Sequence, residues 1–155
     1  MLSNVNILIP AKQTIAIVGE SGSGKSTLIS LITRLNQCFE GHIYIDEHFL
    51  LSSIKSYRQQ IALVHQEPSL IVASIKDNIK PTSNLDLTTE RLLMDSLKGF
   101  MATRTTIIVA HRLSSITFAD KIIVLKNGMI EEEGTHEQLL LNNRLYSQLW
   151  KNNES

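Results

Sequence analysis

At 155 residues, the chain has the length of one ordinary domain, and 43% hydrophobic residues are enough to bury a continuous core. The 15 basic and 15 acidic residues cancel to a formal net charge of zero, so overall charge predicts no nucleic-acid partner. The single cysteine, Cys38, excludes an internal disulfide, and no run approaches the roughly 18 apolar residues of a membrane span. We therefore expect a globular, cytoplasmic protein that recognises its ligands at local sites.

The predicted elements follow the order of an α/β domain. Short runs rich in isoleucine and valine alternate with helical patterns, which indicates a mostly parallel sheet flanked by helices. The clearest strands are predicted at residues 14–18, 61–64, 106–110 and 121–125. Their continuous apolar character indicates burial on both faces of the sheet. Helices are predicted at residues 26–35, at residues 90–100 and within the segment 142–155.

Shorter strands and turns complete the pattern. Residues 41–46 and 129–132 are predicted to be short strands, and the second follows Asn127-Gly128, a pair that favours a tight hairpin turn. The glutamates at 131–133 are predicted to form a solvated face. The terminal helix carries one apolar stripe, which predicts packing on the core. The stripe consists of Leu145, Tyr146, Leu149 and Trp150.

A phosphate-binding loop is the clearest motif. The pattern Gly-x-x-x-x-Gly-Lys-Ser/Thr is met by Gly19, Gly24, Lys25 and Ser26, between a predicted strand and a predicted helix. Glycines let the backbone N–H groups converge on phosphate oxygens, and the helix N-terminus adds its positive dipole end. Lys25 supplies charge for the β- and γ-phosphates, and the Ser26 hydroxyl can bind Mg²⁺. The predicted nucleotide contacts are Gly19, Glu20, Ser21, Gly22, Ser23, Gly24, Lys25, Ser26 and Thr27.

Further stretches resemble the nucleotide-binding domains of ATP-binding cassette (ABC) transporters, particularly of the exporter type. They are residues 4–19, 41–46, 57–68, 105–116, 119–128 and 133–139. The most specific is the run Val-Ala-His-Arg-Leu at 109–113. The resemblance implies a P-loop NTPase core with a small antiparallel β subdomain, in one domain over 1–155. Residues 1–80 would carry the Walker A and Q-loop part, and residues 81–155 the D-loop and switch-histidine part.

The resemblance also implies site residues, ligands and partners. Gln66 matches the Q-loop glutamine, which touches Mg²⁺ and the attacking water, and His111 matches the switch histidine that contacts the γ-phosphate. Asp86, also predicted to contact the nucleotide, ends the run Ser-Asn-Leu-Asp, which matches the D-loop at the dimer interface. The implied ligands are ATP and Mg²⁺. The implied partners are the transmembrane domain of an exporter and a second nucleotide-binding domain, at the cytoplasmic face of a membrane.

Several family motifs are missing from the sequence. The chain has neither the Leu-Ser-Gly-Gly-Gln signature with its helical subdomain nor the Walker B strand that ends in Asp-Glu. Asp46-Glu47 also follows an apolar run, but it matches a strand away from the Mg²⁺ site. Without the general base, hydrolysis is expected to fall by about 10²–10⁴-fold. The sequence also starts after the family's adenine-stacking aromatic residue, which predicts weaker base binding.

Three functions therefore stay open. The first is ATP binding coupled to transmembrane export, with impaired hydrolysis. The second is a working ATPase in which another carboxylate replaces the missing ones. The third is a non-catalytic remnant or interaction module that pairs with an intact cassette or a membrane domain. A different P-loop class, such as a small-molecule kinase, fits the loop alone but not the Val-Ala-His-Arg-Leu run.

Overall fold

The structure is a computed structural model that describes residues 2–37, 40–45, 48–49, 54–62, 99, 101–110 and 113–153. The chain divides into two compact units, which are described separately. The first unit comprises Met1–Gln37 and Ser96–Ser155, and the second unit comprises Cys38–Asp95. The single domain over 1–155, with its parts 1–80 and 81–155, stays a prediction. Within the described ranges, no helix combines the length and the apolar character that a membrane span requires.

The first unit contains a four-stranded sheet with helices. Its elements are β1 (Thr14–Val18), α1 (Lys25–Ile32), β4 (Thr106–Val109), a 3₁₀ helix (Leu113–Ile116), β5 (Lys121–Lys126), β6 (Met129–Gly134), α3 (His136–Leu141) and α4 (Leu145–Asn153). The strand order is β4-β1-β5-β6. β1 pairs in parallel with both β4 and β5, whereas β6 runs antiparallel to β5. The predicted α/β class with a mostly parallel sheet is confirmed.

Both faces of the sheet are covered. Alternate residues of a strand point to opposite sides, so each face has its own set of side chains. On one face, Ala16 and Val18 of β1 pack with the 3₁₀ helix, α3 and α4. On the other face, Ile15 and Ile17 pack with α1 and with the N-terminal segment at residues 2–9. The residues of β1 after Thr14 are at most 1% exposed. This two-sided burial explains why β1 and β5 read as continuous apolar runs.

Asp120 fixes the start of both central strands. The Thr14 N–H donates to Asp120 Oδ2 at 2.7 Å, and the Asp120 N–H donates to the Thr14 carbonyl at 2.9 Å. Thr14 is buried, so its N–H depends on this carboxylate.

We predict that Asp120→Ala lowers the free energy of unfolding by about 1–3 kcal/mol, because a buried donor loses its acceptor. Asp120→Asn keeps an acceptor oxygen and should lose less. Denaturant unfolding measures both, and equal losses would contradict this reason.

β6 contains a β-bulge, and because of it the solvated face predicted at 131–133 is only partly formed. The register shifts between Val124, which pairs with Glu132, and Leu125, which pairs with Ile130. Ile130 packs on the α1 side of the sheet, whereas the Glu132 carboxylate accepts a hydrogen bond from the Tyr146 N–H of α4 at 3.1 Å. Glu132 is only 6% exposed, so the prediction was wrong for this residue. The inserted bulge residue turns Glu132 toward the opposite face.

The terminal helix packs on the core, as its apolar stripe predicts. Tyr146 is fully buried, and burial raises the pKa of its phenol to about 12. Its hydroxyl lies 2.8 Å from His136 Nδ1, and the His136 and Trp150 rings have centroids 4.6 Å apart. α3 starts with a capping box in which the Thr135 hydroxyl and the Gln138 side chain each accept the other residue's backbone N–H. These contacts fix both C-terminal helices beside the sheet.

The second unit contains a short antiparallel pair, β2 (Tyr44–Ile45) and β3 (His48–Phe49), and the helix α2 (Ile54–Gln59). The sequence analysis assigned no element to α2. The strand predicted at 61–64 is not formed at residues 61 and 62, and the rest of it lies outside the described residues. The Ile61 N–H instead donates to the Arg58 carbonyl at 3.3 Å and closes the end of α2. Of the helix predicted at 90–100, only Gly99 is described, and it is helical.

Candidate phosphate-binding loop

The loop between β1 and α1 needs glycine at defined positions. The φ angles of Gly19, Gly22 and Gly24 are 148°, 78° and 107°, in the region that side chains disfavour. Gly24 precedes the first residue of α1, and no side chain caps this helix. The first-turn N–H groups of α1 have no acceptor within the helix. The sequence therefore folds here into a turn followed by an uncapped helix N-terminus, an arrangement that favours anion binding.

Lys25 is the buried cation of this loop. Its Nζ donates to the carbonyls of Gly19 and Glu20, both at 2.8 Å, and lies 3.4 Å from Ser23 Oγ. Lys25 is 7% exposed, and this burial lowers the pKa of its ammonium below the ordinary value of 10.5. Within the described ranges, no carboxylate lies within ion-pair distance of Lys25. A positive charge held only by neutral oxygens favours an anionic ligand.

Gly19 is required by close packing as well as by its φ angle. A Cβ atom at this position would lie 2.2 Å from the Leu125 carbonyl oxygen of β5 and 2.8 Å from Ser23 Oγ. By contrast, a Cβ atom on Gly22 would meet no atom within 4 Å. The start of the loop is therefore fixed against the backbone of β5, whereas Gly22 lies at an open point of the loop.

The predicted nucleotide contacts lie together in this turn with different exposure. Ser23 and Lys25 are buried, and Gly19 and Gly24 are partly buried. The others are exposed, namely Glu20, Ser21, Gly22, Ser26 and Thr27. Among the described residues, no group of three His, Cys, Asp or Glu side chains could hold a metal ion. The role of Ser26 as a Mg²⁺ ligand stays a prediction, and its hydroxyl belongs to an exposed residue.

Three predicted site residues, Gln66, Asp86 and His111, lie outside the described residues. In the sequence, His111 follows β4 by two residues, and the neighbour of β4 in the sheet is β1. The preceding residue, Ala110, donates its N–H to the Ile17 carbonyl at 3.4 Å. The carboxyl ends of β1 and β4 therefore lie at the same edge of the sheet, where ligands of α/β proteins bind.

The loop also contacts three residues for which no site role was predicted, namely Leu2, Leu125 and Gly128. The Gly128 N–H donates to the Ser23 carbonyl at 3.0 Å. Leu2 and Leu125 lie close to Gly24 and Gly19. Only Gly128 gave a signal in the sequence, as half of the predicted Asn127-Gly128 turn. That turn is confirmed, with φ angles of 50° and 81° at its two residues.

Comparison with known proteins identifies the family. The family model described as "ABC transporter" matches residues 2–138. The chain is 32% identical to the ATP-dependent lipid A-core flippases of Salmonella typhimurium and Escherichia coli, over 97% of this chain and 38% of each flippase. It is also 32% identical to ABC transporter B family member 1 of Arabidopsis thaliana, over 100% of this chain and 18% of the plant protein.

A solved structure shows the same fold. The chain matches a bacterial Atm1-family ABC exporter with ATP bound at a TM-score of 0.87 and 25% identity, over 99% of this chain and 39% of the exporter. The chain thus spans well under half the length of these relatives. Its 155 residues are spread over 225 aligned positions of the plant protein, so that relative carries several tens of residues within the matched span that this chain lacks. The chain belongs to the ABC transporter family, and it corresponds to the nucleotide-binding domain of the exporters that it resembles.

Proposed function

We propose that this chain binds the triphosphate of ATP in the loop at residues 19–27. The observation that supports the proposal is the buried Lys25 ammonium, whose partners among the described residues are two carbonyls and a hydroxyl. A phosphate oxygen carries more negative charge than these acceptors and would form a stronger, charge-assisted hydrogen bond with the ammonium. The first-turn N–H groups of α1 would bind the remaining oxygens.

Other residues would complete the site. Ser26 would bind Mg²⁺ through its hydroxyl, and Gln66 and His111 would face the reacting phosphate, as the family resemblance implies. Asp86 would lie near a second nucleotide-binding domain. Mg²⁺, when bound, would neutralise part of the phosphate charge. The exposure of Ser26 and the common edge of β1 and β4 are consistent with these roles.

The whole protein would couple ATP binding to export by a transmembrane partner, at the cytoplasmic face of a membrane. The relatives support this part of the proposal because they are named as a flippase and an exporter. Hydrolysis would be slow, because the sequence lacks the Walker B Asp-Glu pair that supplies the general base in the family.

The test of this proposal is a titration of the purified full chain with ATP by calorimetry, with and without Mg²⁺, followed by a phosphate-release assay. We expect binding that weakens when EDTA removes Mg²⁺, together with phosphate release no faster than that of a Lys25→Met variant. Absence of ATP binding by the folded protein would refute the proposal. Phosphate release well above the variant would instead show that another carboxylate activates water.

A second candidate is a non-catalytic module that pairs with an intact cassette or a membrane domain. The missing stretch within the matched span favours this alternative, since the relatives carry residues there that this chain lacks. Co-purification with such a partner would not depend on the Lys25 ammonium. Equal capture of the native chain and the Lys25→Met variant would therefore favour the second candidate.

ATP affinity should depend on pH through Lys25. Burial lowers the pKa of Lys25 in the free protein, and a neighbouring phosphate raises it in the complex. When the pKa of a group is higher in the complex than in the free protein, the charged group strengthens binding. This gain in affinity is complete below the free-protein pKa and is lost as pH rises through the free-protein pKa and then the pKa of the complex. We predict that affinity falls as pH rises through the lowered pKa of Lys25, a range in which the terminal phosphate is already ionised. Calorimetry at constant ionic strength measures the decline, and Lys25→Met should not show it.

A further inference from the structure

The loop is held from outside by residues that are distant in sequence. The Gly128 N–H in the turn between β5 and β6 donates to the Ser23 carbonyl at 3.0 Å. The Ser3 N–H donates in turn to the Gly128 carbonyl at 2.9 Å. Backbone groups therefore connect the N-terminal segment, the hairpin turn and the phosphate-binding loop. We call Leu2, Ser3 and Gly128 the loop brace.

Leu2 covers the loop at its last glycine. A Cβ atom on Gly24 would lie 2.7 Å from Leu2 Cδ2 and 3.6 Å from Gly128 Cα. Leu2 is partly buried and also packs on the cluster that contains Ile15 and Leu28. Its side chain thus lies between the core and the residue at which the loop enters α1.

These contacts determine where one backbone donor points. The C=O and N–H groups of a trans peptide point in opposite directions. The Ser23 carbonyl is bonded to Gly128, so the N–H of the same peptide, which belongs to Gly24, points away from the hairpin. Among the residues that the structure describes, no group accepts a hydrogen bond from the Gly24 N–H. This donor is therefore available to a ligand.

We propose that Leu2 and Gly128 are positioning residues that hold the Ser23–Gly24 peptide so that the Gly24 N–H meets a phosphate oxygen. The inference rests on the proposed function, and it adds two residues that lie outside the loop motif. Loss of the Leu2 side chain, or a shift of the Gly128 N–H, would let the peptide rotate. The bond to the phosphate would then be misaligned, and hydrogen bonds weaken steeply as their angle narrows.

A matched pair of variants tests the proposal. Leu2 and Ile7 lie in the same N-terminal segment and pack on the same cluster, and truncation to alanine removes the same number of carbon atoms from each. We expect Leu2→Ala and Ile7→Ala to lower the unfolding temperature similarly. Leu2→Ala should weaken Mg²⁺-ATP binding by about fivefold or more, because a bond to a charged group is affected, whereas Ile7→Ala should change it less than about twofold. Leu2→Met should bind Mg²⁺-ATP with nearly the affinity of the native chain.

A measurement on the free protein gives a second test. In ¹⁵N-labelled full chain without nucleotide, Leu2→Ala should shift the Gly24 amide resonance, and Ile7→Ala should not. If native protein binds ATP and both truncations weaken binding equally, the positioning role is refuted while the proposed function stands. If native protein does not bind ATP, the proposed function fails, and the Gly24 resonance alone decides whether the brace orients the peptide.

A second pair serves if Leu2→Ala does not fold. Gly128 and Gly41 both have positive φ angles, 81° and 93°, and a Cβ atom on Gly41 would meet no atom within 4 Å. Alanine strains the backbone at both positions. Only Gly128→Ala should weaken Mg²⁺-ATP binding by about fivefold or more, because strain at this position would displace the N–H that donates to the Ser23 carbonyl. Equal affinities of the two variants would overturn the proposal.

Discussion

Replacement of Lys25 by methionine is expected to lower the affinity for ATP by at least about 100-fold, because charge-assisted hydrogen bonds to two phosphates are lost. The same change should leave the unfolding temperature nearly unchanged. Methionine keeps the apolar stem of the side chain, which is buried beside the loop. What it loses are the bonds from Nζ to the carbonyls of Gly19 and Glu20.

The loss of these bonds is offset by the removal of a buried charge. The pKa of Lys25 is lower in the folded protein than in the unfolded chain, so the charged form opposes folding at neutral pH. The destabilisation of the fold by this charge is complete below the folded-state pKa and disappears only above about pH 10.5, the ordinary pKa of lysine. Removing the charge therefore stabilises the fold, and this gain offsets the stability that is lost with the hydrogen bonds.

Calorimetry for affinity and thermal unfolding for stability together check this prediction. Lys151→Met removes an exposed positive charge near the end of α4 and is the control for a general change in charge. It should bind ATP as the native chain does. A large fall in the unfolding temperature of Lys25→Met, with affinity lost in proportion, would indicate a structural lysine and contradict a binding role.

The sheet and the phosphate-binding loop were accessible from the sequence because their determinants are local. β1 and β5 are buried on both faces, so each forms a continuous apolar run that needs no knowledge of its neighbours. The loop motif is contiguous, and its glycines have the positive φ angles that the motif predicts. The hairpin turn at Asn127-Gly128 was likewise defined by two adjacent residues.

Features that depend on pairing register or on distant contacts were not accessible. Glu132 is buried because a bulge moves it to the other face of the sheet, and three adjacent glutamates carry no sign of this shift. The loop brace joins residues 2–3, 23–24 and 128, which are far apart in sequence. At residues 61 and 62, the strand pattern was overridden by the turn that ends α2. Apolar patterns predict burial but not which backbone partner is available.

The largest effect on stability is expected for Gly19→Ala. An added Cβ atom would lie 2.2 Å from the Leu125 carbonyl oxygen, and this contact is with the backbone of a fully buried residue of β5. The Gly19 φ of 148° adds strain for any side chain. Overpacking of this kind typically costs about 1–3 kcal/mol, and an unfavourable φ about 1–2 kcal/mol more. We therefore expect a loss of at least about 3 kcal/mol in the free energy of unfolding, or failure to fold.

Gly22→Ala separates the two causes, because it brings the strain without the collision. Its φ is 78°, and a Cβ atom there would meet no atom within 4 Å. We expect a loss of about 1 kcal/mol, the cost of backbone strain alone. Denaturant unfolding of both variants, without nucleotide so that ligand binding does not contribute, measures the difference. Equal losses would mean that β5 shifts to admit the methyl group, and the loop would then not be anchored on Leu125.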